Sequence, residues 1–194
     1  MTHPAYETMR TVLPCASVLL QHNPGPMTLD GTNTWLLRAP GSDEVLVVDP
    51  GQSGDGHLDA LVQAAPRIAL TLVTHGHFDH SQSAADLHER TGATVRAVDP
   101  AFCHGGDALT DGTVFDVAGL RITVLATPGH TSDSASLLVS SADGDPLAVL
   151  TGDTILGRGT TVVAYPDGNL GEYLGSLRRL GELGELSVLP GHGP

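Results

Sequence analysis

The chain has 194 residues, and 9 basic side chains against 22 acidic ones leave a net charge of −13 with histidine neutral. Every basic residue is arginine, so a Walker-type phosphate lysine, a Schiff-base lysine and a polybasic membrane anchor are all excluded. A chain this acidic has no electrostatic reason to bind nucleic acid or anionic lipid non-specifically. Its 40% hydrophobic content, with 24 glycines and 13 prolines, suits one loop-rich domain over 1–194 with a real core.

Cys15 and Cys103 share no CxxC spacing and make no disulfide framework, which favours a reducing compartment. Residues 1–10 are polar and lack an apolar leader core, and no run reaches the about eighteen apolar residues of a membrane span. The expectation is a soluble, cytoplasmic protein.

Along the chain, Trp35-Leu36-Leu37 follows the turn signal Asp30-Gly31, and Val45-Leu46-Val47-Val48 runs into Asp49-Pro50-Gly51. The two read as neighbouring strands of a hairpin or meander. Leu58, Leu61, Val62 and Ala65 recur with a helical period, predicting a helix over 57–65 that Pro66 stops. A strand over 68–73 runs straight into a histidine cluster, followed by a helix over 81–90 with Gly92 as its stop and a strand over 94–98. The second half gives strands over 120–125, 135–139 and 147–150. A helix over 170–183 carries Leu170, Tyr173, Leu174, Leu177 and Leu180 on one stripe, and a closing strand covers 187–189. Strand-rich halves with helices between strands predict an α/β (α+β) fold, two sheets face to face with helices outside.

One segment dominates the chemistry: Thr74-His75-Gly76-His77-Phe78-Asp79-His80. Three imidazoles and a carboxylate at a strand end are the ligand set of zinc, with iron and manganese compatible. His75 and His77, two apart on an extended segment, point to one side. Asp79 shares that parity, and His80 breaks it, turning toward a second metal as a helix begins. Three later positions repeat one pattern in which a strand ends, a glycine opens the turn and a ligand-type residue sits there: Gly129-His130, Gly152-Asp153 and Gly191-His192.

The series THGHFDH, TPGHT, TGD and PGHG resembles the metallo-β-lactamase superfamily over nearly the whole chain. Asp30-Gly31-Thr32-Asn33-Thr34-Trp35, Val47-Val48-Asp49-Pro50-Gly51 and TGDTILGRGTTVVAYPDG are similar to the branch of beta-lactamase-like protein 2 and the glyoxalase II type. The resemblance implies a four-layered αββα sandwich and two zinc ions per chain. His75, His77 and His130 would hold the first ion, Asp79, His80 and His192 the second, and Asp153 would bridge them. Asp49 would orient the histidine loop from behind; the plainer alternative is a turn-initiating Asp before Pro-Gly. The branch also implies further helices past PGHGP. The sequence stops at Pro194, which fits either a minimal form or a chain lacking that part. Chain ends fray, so order around His192 is not assured by the sequence.

Physical reasoning stands beside the resemblance. No Lys or Arg lies within the ligand motifs to neutralise Asp79 and Asp153, so a cation must occupy their middle. Two divalent ions lower the pKa of bound water toward ~7, and hydroxide then attacks a carbonyl or phosphorus centre with a protonated water or Asp79 assisting the leaving group. Arg158 is a candidate anchor for a substrate anion, with Thr160 and Thr161 in the same loop reaching the metal face. His88 and His104 are expected to face solvent. Ser132 and Ser134 lack a nucleophile-elbow pattern.

The leading expectation is a dinuclear zinc hydrolase of a small-molecule ester, thioester or phosphodiester. An endoribonuclease on single-stranded RNA is the first rival, disfavoured by the charge and by only seven aromatics. An iron-dependent persulfide dioxygenase is the second; the iron-bridged flavoprotein type usually has Glu where His77 stands. A non-catalytic binding module is set aside because every expected ligand is present.

Overall fold

The computed structural model describes residues 5–54, 56–65 and 67–194; the helix stop expected at Pro66 lies outside them. Valine- and leucine-rich runs pair into two sheets. The first takes β1 (Arg10–Leu13), β2 (Ala16–Leu20), β3 (Asn33–Leu37), β4 (Val45–Val48), β5 (Ile68–Leu72) and β6 (Thr94–Arg96), in that spatial order. The second runs β11 (Ser187–Pro190), β10 (Pro146–Gly152), β9 (Ala135–Ser141), β8 (Leu120–Ala126) and β7 (Val114–Val117). Neighbours are antiparallel except β4–β5–β6 and β10–β11, which are parallel.

The central strands β3 and β4 are buried on both faces, which is why they read as continuous apolar runs. Alternate residues divide between two environments. Trp35, Leu37, Leu46, Val48 and Leu72 meet Ile122, Val124, Leu137, Val139 and Leu150 between the sheets. Leu36, Val45 and Val47 face outward onto Leu61 of α1 (His57–Ala64) and Leu87 of α3 (Ala84–Thr91). Leu125 and Val149 do the same against Leu180 of α4 (Leu170–Gly181). The order is helix, sheet, sheet, helix: the expected αββα sandwich. Each fully buried leucine in it contributes about 1.5–3 kcal/mol over an exposed one.

Three strands carry no strong sequence signal. β1 is an exposed edge strand, Ser17 interrupts β2, and β7 is short and only half-buried. The helix expected over 81–90 is two helices instead, α2 (Phe78–Ser81) and α3. The Ser83 amide leaves the helical ladder to donate to the Gly51 carbonyl at 3.0 Å, which separates them. The left-handed Gly92 ends α3 as expected, with φ 72°. Because α2 opens at Phe78, the extended parity of His75 and His77 does not reach Asp79, which sits on the helix beside His80.

Parallel pairing brings the C-terminal ends of β4 and β5, and of β10 and β11, to one edge of the sandwich. There the sheets are stitched together. Ala135 N–H donates to the Thr74 carbonyl and Asn33 N–H to that of Gly191, both at 2.8 Å. The Trp35 indole N–H donates to the Pro190 carbonyl at 2.9 Å. Residues 190–194 are therefore held, and His192 is only 1% exposed.

Candidate metal centre

Asp49 organises the histidine loop. It ends β4 in a left-handed conformation, φ 55°, that turns its carboxylate under residues 74–80. Oδ1 accepts the Thr74 N–H at 2.7 Å; Oδ2 accepts the Thr74 hydroxyl at 2.8 Å and the His80 Nδ1–H at 2.9 Å. Having donated to Asp49, the Thr74 hydroxyl can only accept from His75 Nδ1, 3.0 Å away. Both imidazoles are thereby fixed with Nε2 facing the cleft.

The other rings are fixed by the same device. His130 Nδ1 donates to the Val162 carbonyl at 2.7 Å and His192 Nδ1 to that of Gly31 at 3.1 Å. His77 turns Nε2 to Asp167 Oδ2 at 3.2 Å, leaving Nδ1 for the site. A hydrogen-bonded outer nitrogen sets each tautomer and raises the basicity of the inner one.

The inner nitrogens converge in two groups. His75 Nε2 and His130 Nε2 each lie 3.1 Å from His77 Nδ1. His80 Nε2 and His192 Nε2 are 3.2 Å apart, and Asp79 Oδ2 lies 3.4 Å from the first and 3.2 Å from the second. Asp153 stands between them, its Oδ2 3.3 Å from His192 Nε2 and 3.7 Å from His130 Nε2. Its Oδ1 is buried and accepts no hydrogen bond among the described residues; the nearest cationic group is His80 Nε2 at 3.5 Å.

Glycine makes these approaches possible. A Cβ on Gly191 would stand 2.5 Å from Asp153 Oδ1 and 2.8 Å from His80 Cε1. Gly152, at φ 49°, would drive one into the Thr74 hydroxyl.

Burial pushes His75 well below, and His130 below, the usual imidazole range. Burial presses on His80 and His192 too, but carboxylates outweigh it. Asp153 and Asp49 hold His80 well above its ordinary value; Asp153 and Asp79 hold His192 up at about 9. Conversely, burial would raise Asp79 and Asp153, and the same imidazoles hold both below the usual carboxylate range. The centre is thus a lattice of opposed charges, with imidazole lone pairs facing one another and one carboxylate oxygen lacking a donor. Four nitrogens at about 2.0–2.1 Å around a tetrahedral zinc stand about 3.3 Å apart, close to the spacings present. The donor set fits a pair of cations.

Arg158, Thr160 and Thr161 do line the cleft over His130 and Asp153, with Met27, Leu29 and Val162. Arg158 is not free there. Its Nη2 donates to Asp30 Oδ1 at 2.9 Å and its Nη1 to Asp30 Oδ2. The Thr161 hydroxyl donates to the Asp153 carbonyl at 2.8 Å, bracing the end of β10, while Thr160 is exposed. Ser134 Oγ closes the turn after His130 through Thr131 Oγ1 at 2.7 Å. His88 and His104 are half-buried instead of solvent-facing: His88 Nδ1 donates to the Ala93 carbonyl at 2.8 Å, and the two rings stack at 6.1 Å. Sequence reasoning missed Gly31, Thr32 and Asp167, which hold His192, Asp79 and His77. An apolar hollow lined by Leu13, Cys15, Pro40, Leu120 and Leu147 contains none of these histidines and aspartates.

A family model of the metallo-beta-lactamase superfamily matches residues 27–192. The chain belongs to this superfamily. It is 36% identical over 184 residues to the atrochrysone carboxyl ACP thioesterase of Aspergillus fumigatus, covering 90% of this chain and 55% of that protein. Identity to the beta-lactamase-like protein 2 homolog of Caenorhabditis elegans is 32% over 187 residues, covering 91% and 60%. The chain therefore spans under two thirds of either relative's length. Among solved structures of the superfamily's fold, that of ETHE1 from Myxococcus xanthus is 32% identical, covers 84% of this chain and 71% of its own, and superposes with a TM-score of 0.70. TTHA1623 in a di-iron-bound form is 25% identical, with coverage of 88% and 90% and a TM-score of 0.69.

Proposed function

We propose that this superfamily member is a hydrolase with two zinc ions per chain, acting on a small-molecule thioester. His75, His77 and His130 would hold one ion and Asp79, His80 and His192 the other, with Asp153 standing between the two groups. The observation that carries the reading is the buried Asp153 Oδ1, without a donor among the described residues and standing between two groups able to hold a metal ion. Divalent metal at this position supplies Lewis acidity and water acidified toward ~pH 7.

The protein's own residues do the rest. Asp79, with Oδ2 turned to His192 and braced by the Thr32 hydroxyl at 3.2 Å, is assigned to proton transfer through Oδ1. Met27, Leu29 and Val162 offer an apolar wall beside His130 and Asp153. Arg158, engaged by Asp30, offers no unpaired cation to a phosphate. That pairing and the charge of −13 favour a neutral carbonyl substrate over a phosphodiester or RNA. The likeness to a carboxyl ACP thioesterase supports the same choice. We assign the chain to the cytoplasm, where free Cys15 and Cys103 stay reduced; no helix among the described residues is long and apolar enough to cross a membrane.

Iron-dependent oxidation is the second reading, and the di-iron-bound TTHA1623 is the observation behind it. Metal analysis of the purified protein, then assays on thioester, ester, phosphodiester and RNA substrates, separates the two. Two zinc equivalents and thioester cleavage are expected. Iron with substrate-dependent oxygen uptake and no hydrolysis would overturn the hydrolase.

A further inference from the structure

Beneath Asp49 lie buried polar groups for which this chemistry has no use. Thr34 and His57 are both fully buried, His57 at the start of α1 and Thr34 on β3. The Thr34 hydroxyl is 2.6 Å from the Asp49 carbonyl oxygen and 2.8 Å from His57 Nε2. A hydroxyl has one hydrogen and a carbonyl oxygen can only accept, so that hydrogen goes to Asp49. His57 Nε2 must then donate to Thr34. Nδ1 is left to share a second proton with Glu7 Oε2, 2.7 Å away. Glu7 is itself held, its Oε1 accepting the His22 N–H at 3.0 Å. The two inner bonds thus run in one direction, from His57 to Thr34 to the Asp49 backbone, and the outer one joins His57 to the partly exposed Glu7 carboxylate.

What the chain of bonds ends on matters. Asp49 is a non-glycine residue held at φ 55°, a conformation that persists where neighbours over-determine it. The Thr34 bond clamps the carbonyl of that residue, and the carboxylate it orients is the partner of His80. The same short segment serves the other members of the second ligand group: the Gly31 carbonyl holds His192 and the Thr32 hydroxyl holds Asp79. The first group is reached at one remove and at one member only: Asp49 accepts the Thr74 hydroxyl that faces His75 Nδ1, whereas His77 and His130 are held by Asp167 and Val162.

We propose that Glu7, His57 and Thr34 form a positioning relay that fixes Asp49, and through it His80, for the second ion. The inference rests on the two-metal reading above. It makes second-ion affinity more sensitive than first-ion affinity to substitutions that touch neither ion.

The test is zinc titration of the metal-free protein against a chromophoric chelator, which resolves the two binding steps. His57→Leu and Thr34→Val should weaken the second step about tenfold or more and the first, reached only through Thr74, by much less. Thr34→Ser, which keeps the hydroxyl, should restore it. Leu61→Ala, a buried packing change on the same helix, should lower the melting temperature with both steps intact. If His57→Leu fails to fold, Glu7→Gln at the partly exposed end should weaken the same step. Relay variants that leave both steps as in wild type, or weaken both alike in proportion to lost stability, overturn the relay. A wild type that binds fewer than two ions overturns the two-metal reading and the relay with it; a wild type that binds two beside unaffected variants overturns the relay alone.

Discussion

Asp49 and His80 are joined by a 2.9 Å hydrogen bond where neither side chain is more than 2% exposed. The contact ties the end of β4 to α2 and sets which nitrogen of His80 faces the cleft. A turn-forming Asp before Pro-Gly would need none of this, so the carboxylate is there for the histidine loop. Asp49→Asn keeps one acceptor oxygen but replaces the other by a donor, facing groups that already donate. We expect the affinity of the second ion to fall about 10–100-fold. The metal-free protein should lose about 3–5 kcal/mol, the usual consequence of removing one partner of a buried charged pair. Metal titration and urea unfolding check the two numbers; unchanged values for both would leave Asp49 as a turn residue.

The charge lattice makes the metal-free protein sensitive to pH in a predictable direction. His192 is held at about 9 in the fold against 6.5 unfolded. Stability from its pairing with Asp153 and Asp79 is fully present below about 6.5 and is lost as pH rises through about 9. His80 is shifted the same way. Urea unfolding of chelator-treated protein should therefore give less stability at high pH than at pH 6, by an amount on the order of 2–3 kcal/mol. Zinc-loaded protein should show a flatter profile, because ligands must shed these protons to bind metal. Metal-free protein that gains stability over that interval would contradict the assignment of charges.

Arg158 and Asp30 close a bidentate pair between two loops at the cleft. Asp30→Asn removes the charge that satisfies Arg158 and leaves a guanidinium facing the site. The expected result is a lower KM for substrates carrying a carboxylate near the scissile bond, with little change for neutral thioesters. An exposed pair contributes about 0–1 kcal/mol, so the melting temperature should barely move. Equal KM changes for charged and neutral substrates would show that the pair merely holds the loops.

Much of this was legible because it rests on local patterns. The apolar runs of β3 and β4, helical spacing from Leu58 to Ala65, and Gly92 as a left-handed stop are written in neighbouring residues. The histidine and aspartate motifs that converge at the cleft are local too, each a strand end followed by a short turn. What was not legible depends on chain crossings. Thr34 reaches Asp49 only because β3 pairs with β4, and His57 reaches Thr34 only because α1 lies on the outer face of that sheet. Arg158 meets Asp30 across 128 residues, with no signal at either position. Asp79 was misread in parity for another reason: nothing in the text of the loop says that the helix opens at Phe78, before His80.

Asp153 offers the most direct test of the proposed metal centre, since its Oδ1 is buried, without a donor among the described residues, between the two proposed ligand groups. Such an oxygen is costly to bury unless a cation meets it. Asp153→Asn keeps the shape and one oxygen but removes the charge that lets two cations sit close together. Metal content should fall from about two ions per chain toward about one, because paired ions depend on a shared anionic clamp. Hydrolysis should drop by several orders of magnitude. The fold should survive, since the sheets are stitched through Thr74, Asn33 and Trp35 and not through this carboxylate. His88→Ala is the matched control: it removes an imidazole bonded to Ala93 on a different face of the α3 region. That substitution should lower stability by about 1 kcal/mol and leave metal content and rate unchanged. Full metal and full rate in Asp153→Asn, or equal damage from His88→Ala, would mean that the ions sit elsewhere.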